Sequence, residues 1–152
     1  MVRRIVHIID SLPIGGAQKL LVTFAREAQK RFLETEIICL KDAVDPQVAT
    51  DLQACGVAIT FFPANNLLNL GRIWDITRYL RYTKPDVIQS HLTYANIIGG
   101  LAGYAAGIPV VATLHSSGQD RRYSKAREKL ESWILRHLDR GVIAVGSNTA
   151  NA

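Results

Sequence analysis

Six short apolar runs recur along this chain, each separated from the next by a stretch with helical or turn-like spacing. Few folds accommodate that order. The runs are Arg4–Asp10, Thr35–Leu40, Val57–Phe62, Asp86–His91, Pro109–Leu114 and Gly141–Val145, rich in β-branched residues and bounded by turn formers. After the first, Ala17, Leu21, Phe24, Ala25, Ala28 and Phe32 step by three and four, which predicts an amphipathic helix. Pro46 to Ala54 reads as a short helix with Gly56 at its C′ position. A third helix carries Leu70, Ile73, Ile76 and Leu80 on its apolar side and Arg72, Arg78, Arg81 and Lys84 on the other.

The fourth helix, about Tyr94 to Ala106, is apolar nearly all round and holds Gly99, Gly100 and Gly103. It must therefore be covered on most sides, with the glycines admitting neighbouring backbone. Ala126, Leu130, Trp133, Ile134, His137 and Leu138 mark a fifth, and Ser147 stands where the N-cap of a further helix belongs. Strand–helix alternation with near-continuous apolar strands predicts a parallel sheet covered on both faces. The expected fold is α/β: a doubly wound, mostly parallel, Rossmann-like three-layer sandwich forming a single domain over residues 1–152.

At 48% hydrophobic and 20% charged residues the chain can bury a core that offsets its ordering entropy. Eighteen Lys and Arg against thirteen Asp and Glu give +5, which favours anionic partners: phosphates, nucleotides or acidic lipid. Cys39 and Cys55 have neither metal-ligand spacing nor the density of a disulfide scaffold, and read as reduced thiols in the cytoplasm. The start Met1-Val2-Arg3-Arg4 is basic, but Asp10 and Pro13 interrupt the apolar run a signal peptide needs. Leu92 to Leu114 is uncharged and long enough to span a bilayer, yet Gly107-Ile108-Pro109 divides it into a buried helix and a buried strand.

In an open parallel sheet ligands bind at the carboxyl ends of the strands. That rule selects the loop after strand one, His91, His115 and Ser147. Gly15-Gly16 precedes a helix whose first N–H groups and dipole suit a phosphate; a tight strand-to-helix turn explains the same pair equally well. Neither a dinucleotide fingerprint nor a P-loop is present. Asp42 reads mainly as a solvated loop acid, His7 as packing and His137 as a surface or half-buried residue. His115 is either aimed at substrate hydroxyls or satisfied by backbone, and His91 either lines the site or supports its neighbour. No histidine spacing suits a metal. The cations Arg121, Arg122, Lys125, Arg127 and Lys129 open helix five, either as a solvated face or toward an acceptor phosphate or acidic membrane. Without interleaved aromatics they do not suit nucleic acid.

The stretch Ile5 to Gln18, with its double glycine after strand one, resembles the opening of the family-four glycosyltransferases. Lys84 to His91, Tyr94-Ala95-Asn96, Gly107 to Val111 with His115, and Val145-Gly146-Ser147 resemble further segments of that family in its order. The resemblance implies half of a GT-B architecture, in which two Rossmann-like domains face across a cleft. It implies retaining transfer of a sugar from a UDP- or GDP-linked donor to a carbohydrate or lipid-linked acceptor, as in polysaccharide biosynthesis, with no bound metal or other cofactor.

By the same resemblance, Gly15 and Gly16 would approach the donor diphosphate and His115 would be catalytic, contacting the donor sugar. His91 and Ser147 would line the cleft, and Arg121 and Arg122 would face the acceptor. The family's nucleotide pocket, its diphosphate-holding cations and its paired glutamates belong to a C-terminal domain that this chain lacks. The expectation is an acceptor-side domain, inactive alone, cytoplasmic or peripheral at the inner membrane face. The alternatives are a non-catalytic nucleotide- or anion-binding module of the same fold, and half of a sugar-nucleotide epimerase.

Overall fold

The computed structural model describes residues 1–66, 68–115 and 124–145. Strands β1 (Arg4–Ile9), β2 (Glu34–Cys39), β3 (Ala58–Phe61), β4 (Val87–His91), β5 (Val110–Leu114) and β6 (Gly141–Ala144) alternate with helices. These are α1 (Gly16–Lys30), α2 (Pro46–Ala54), α3 (Leu70–Thr83), α4 (Thr93–Ala106) and α5 (Lys125–His137). The sheet runs β3-β2-β1-β4-β5-β6, every pair parallel. This is the doubly wound order expected from the alternation, and chain direction across the sheet reverses between β1 and β4.

Period-two alternation sorts the strand side chains into two cores. Val6, Ile8, Ile38, Leu40, Ile88 and Val110 pack under Ile76 and Leu80 of α3 and Ala95, Ile98 and Ala102 of α4. Ile9, Ile37 and Cys39 pack on the other face with Ala17, Leu21, Val22 and Ala25 of α1 and Val48 and Leu52 of α2. The glycines of α4 allow its approach. A Cβ on Gly103 would lie 2.2 Å from Val110 Cγ2, and one on Gly100 would lie 2.3 Å from Ile134 Cγ2 of α5. The uncharged stretch is thus one buried helix and one strand; no helix among the described residues is long and apolar enough to cross a membrane.

Caps set the helix boundaries. Asp45 accepts from the N–H of Gln47 and Val48 ahead of α2, Asn69 from Arg72 ahead of α3, and Ser124 from Arg127 ahead of α5. Gly56 and Gly107 close α2 and α4 at φ 74°, the left-handed region that glycine enters without penalty. Cys39 is buried and its thiol is pushed up to about 12 by that burial, which keeps it in the unreactive protonated form.

Three helix assignments need correction. Phe32 does not continue the α1 stripe: the helix stops at Lys30, the backbone turns left-handed at Phe32 (φ 56°), and its ring is exposed. Leu70 is exposed at the start of α3. Arg72 is buried rather than solvated, because its guanidinium donates to the carbonyls of Leu40 and Asn66.

Asp139, between α5 and β6, has both carboxylate oxygens buried with no hydrogen-bond partner among the described residues, and burial pushes it up to about 7. A raised carboxyl favours folding fully below its unfolded value, and that contribution is lost as pH climbs through the folded value. Stability from this group therefore falls between about pH 4 and pH 7. Asp139→Asn is expected to raise the Tm at pH 8 and to flatten that decline, as read by thermal melts across this range.

Candidate functional site

The carboxyl edge of the sheet gathers the polar residues of interest. On the α1 side three imidazoles form a row across β1, β4 and the end of β5. His7 Nδ1 lies 3.0 Å from His91 Nε2, and His91 Nδ1 lies 3.1 Å from His115 Nε2. His7 and His91 are buried and His115 is half-buried. Burial lowers all three: His7 to about 3, His91 to about 2 with help from its two imidazole neighbours, and His115 below its ordinary value. They are neutral imidazoles at physiological pH. The sequence expectation that His91 and His115 share one rim is met. His7 is packed, against Phe24 at 4.7 Å between ring centres, and is also hydrogen-bonded, which periodicity along one strand does not reveal.

Directly after His91 the backbone of Leu92 takes φ 75°, ψ 160°, a region nearly closed to side chains and costing about 1–3 kcal/mol. That twist sends the Leu92 side chain into the α1–α2 core. It also aims the first turn of α4 at β1. There Asp10 Oδ1 accepts from the Ala95 N–H at 2.7 Å, a cap supplied from 85 residues away. Asp10 is buried and its carboxyl is pushed up to about 6; desolvation outweighs the Ala95 N–H and Lys41. Along the sequence Asp10 marks the end of the first run and a break in its apolar character, with no sign of a partner in α4.

On the α3–α4 side a cavity of about 330 Å³ is lined by Asp10, Lys41, Asn66, Arg72, Tyr94 and Arg127, among others. Arg127 donates to Tyr94 Oη at 2.6 Å, and Lys41 and Arg127 lie 5.3 and 4.7 Å from the Tyr94 ring centre. Of the two readings of the helix-five cations, Arg127 departs from the solvated face: it turns to Tyr94 and lines the cavity. Asp42 is exposed as expected, and His137 is exposed with its ring stacked on Trp133.

Ahead of α1, Gly15 is extended (φ −175°) and supplies no side-chain cap; the first intrahelical amide is that of Lys19, bonded to the Gly15 carbonyl. Neither Gly15 nor Gly16 has the positive φ a tight turn would demand. A Cβ on Gly15 would lie 2.6 Å from Oε1 of buried Gln18, whose amide donates to the Ser11 carbonyl, so packing constrains Gly15; one on Gly16 would meet nothing within 4 Å. The turn explanation of the pair is therefore not supported. Ser147, Arg121 and Arg122 lie outside the described residues. Among those described, no cluster of histidine, cysteine or carboxylate could hold a metal ion.

Six parallel strands in this order, with the crevice between β1 and β4, define a doubly wound, Rossmann-like domain. The chain belongs to Glycosyltransferase Family 4, whose sequence pattern matches residues 14–152. No curated protein matches it at the sequence level.

Among solved structures it is similar to Anabaena Alr3699/HepE in complex with UDP, at TM-score 0.80 and 18% identity over 97% of this chain and 39% of that one. The lipopolysaccharide outer core galactosyltransferase WaaB follows at TM-score 0.73 and 14% identity, covering 97% and 41%. MurG of Acinetobacter baumannii gives 0.68 and 16%, covering 97% and 42%. These likenesses concern the fold. This chain spans about two fifths of the length of those proteins.

Asp10 tests how the site is braced. Asp10→Ala is expected to lower stability by about 1 kcal/mol through loss of the α4 cap. Asp10→Asn keeps an acceptor oxygen and is expected to cost much less; denaturant titration of both at pH 7.5 decides.

Proposed function

We propose that this chain is the acceptor-side domain of a retaining glycosyltransferase, working with a second, donor-binding domain and inactive without it. The reaction moves a sugar from a UDP- or GDP-linked donor to a carbohydrate or lipid-linked acceptor, without a metal. The observation that carries the reading is the open start of α1: its first residue, Gly16, has no conformational need to be glycine and faces free space, and the helix start has no side-chain cap. N–H groups at such a terminus stabilise the charge that develops on a leaving diphosphate. Absence of a Cβ lets an anion approach the main chain.

Family membership supports sugar transfer, and the UDP bound to the HepE neighbour supports a nucleotide-linked donor. His115, half-buried at the end of β5, is the residue we assign to the donor sugar, with His91 behind it. Ser147 and the Arg121–Arg122 pair are assigned to the cleft and to the acceptor on the family resemblance. The cavity framed by Lys41, Arg72, Arg127 and Tyr94 is the seat we assign to the acceptor. Its three cations against one carboxylate suit an acceptor carrying a phosphate or carboxylate, and the tyrosine ring suits the apolar face of a sugar.

Half of the preorganised charge stabilisation would come from the donor-binding domain, so the 152-residue chain alone is expected to transfer no sugar. A protein that joins it to such a domain is expected to transfer sugar with retention, read by NMR of the product anomer. Inversion of the anomer, or turnover by the lone chain at the rate of the whole protein, overturns the reading. Epimerisation of the nucleotide-sugar with no acceptor present would replace it with a sugar-nucleotide epimerase.

Gly16→Val gives a second check. Its Cβ would enter open space, so the Tm is expected to hold while, in the protein that joins this chain to a donor-binding domain, the KM for the donor rises about tenfold or more, equivalent to about 1.4 kcal/mol of lost binding.

A further inference from the structure

We propose that His7 is a positioning residue: acting through His91, it holds His115 in the Nδ1–H tautomer, so that His115 meets the donor sugar as a hydrogen-bond donor and not as a base. The inference rests on the proposed function only for the word sugar; the proton arrangement stands on the geometry of the row.

Each of the two contacts, His7 Nδ1 to His91 Nε2 and His91 Nδ1 to His115 Nε2, needs one proton between its nitrogens. A neutral imidazole carries a single N–H, so His91 donates through one nitrogen and accepts through the other. The row then has only two polarities. In one, the protons point from His7 toward His115: His7 Nδ1–H donates to His91, His91 Nδ1–H donates to His115 Nε2, and the last proton rests on His115 Nδ1. In the other, His115 Nε2–H donates to His91, His91 Nε2–H donates to His7, and the last proton rests on His7 Nε2.

The inner end decides between them. His7 Nε2 is buried with no hydrogen-bond partner among the described residues. Its aromatic neighbour is Phe24, which offers no lone pair. The second polarity strands an N–H there, and an N–H aimed at a ring face recovers only a fraction of a hydrogen bond. In the first polarity Nε2 is a bare lone pair in an apolar setting, the lesser loss. Head-to-tail alignment of the two bonds is common to both polarities, so the choice rests on the inner end. Burial keeps His7 and His91 neutral, so no second proton enters the row near neutral pH.

His115 thus reaches the rim with its basic nitrogen already occupied by His91. What it has left is a donor, suited to a sugar hydroxyl oxygen or to charge building on an oxygen.

The test is a long-range 1H–15N imidazole spectrum of the 152-residue chain at neutral pH. Imidazole side chains in water favour the Nε2–H form, so three Nδ1–H histidines in a row is a discriminating result, and it is the one expected. An Nε2–H form at His91 or His115 overturns the proposal. His7→Phe removes the donor while filling the space, and the Nε2–H share of His115 is expected to rise several-fold. His7→Asn places an amide N–H where Nδ1 was and is expected to restore the wild-type spectrum. If His7→Phe folds and leaves His115 unchanged, the proposal fails; if it does not fold, the wild-type and His7→Asn spectra decide. None of these readings involves sugar transfer, so a failed transferase assay and a failed tautomer assignment are separate results.

Discussion

Six strands pointing one way force every connection to cross over, and the right hand of those crossovers leaves a crevice where chain direction across the sheet reverses. Here the reversal falls between β1 and β4. Hydrogen bonds of the ladder hold the two strands side by side up to Ile9 and His91, and beyond that point only side chains can close the gap. Asp10 does so, taking the Ala95 amide and fixing α4 against the end of β1. The carboxylate stays buried at the cost of a raised pKa, offset in part by Lys41. The histidine row and the cationic cavity lie on opposite sides of that brace, so both depend on it.

The architecture was legible in the sequence because strand and helix periods are local properties. The double glycine, Gly56 after α2 and the glycine face of α4 each name a boundary or a contact without knowledge of the rest of the chain. The failures have equally local causes. Phe32 sits four residues past Ala28, so spacing extends the stripe one turn too far, and only the left-handed backbone at Phe32 ends it. Arg72 carries a charge in the first turn of a helix, and nothing along α3 announces two carbonyls, from Leu40 and Asn66, waiting for it.

The site was half legible for a different reason. His91 and His115 were found because strand ends are privileged places in this topology. His7 was not, because its partner comes from a strand 84 residues later and the diagonal between them exists only once β1 and β4 are neighbours. Arg127 was grouped correctly by charge but not by direction, since its bond to Tyr94 depends on α5 packing over α4. Polar bonds of long sequence separation carry the geometry of this edge, and no window along the chain contains them.

Leu92 carries a lesson for anyone who would transplant this edge. A relaxed backbone at that position would put consecutive side chains on opposite faces, as in any strand, and the chain would leave β4 in another direction. The unfavourable torsion lets His91 and Leu92 serve the same face while α4 sets off toward Asp10. A graft of the three imidazoles into a second Rossmann sheet would therefore need this contorted leucine as well, although it touches none of the chemistry.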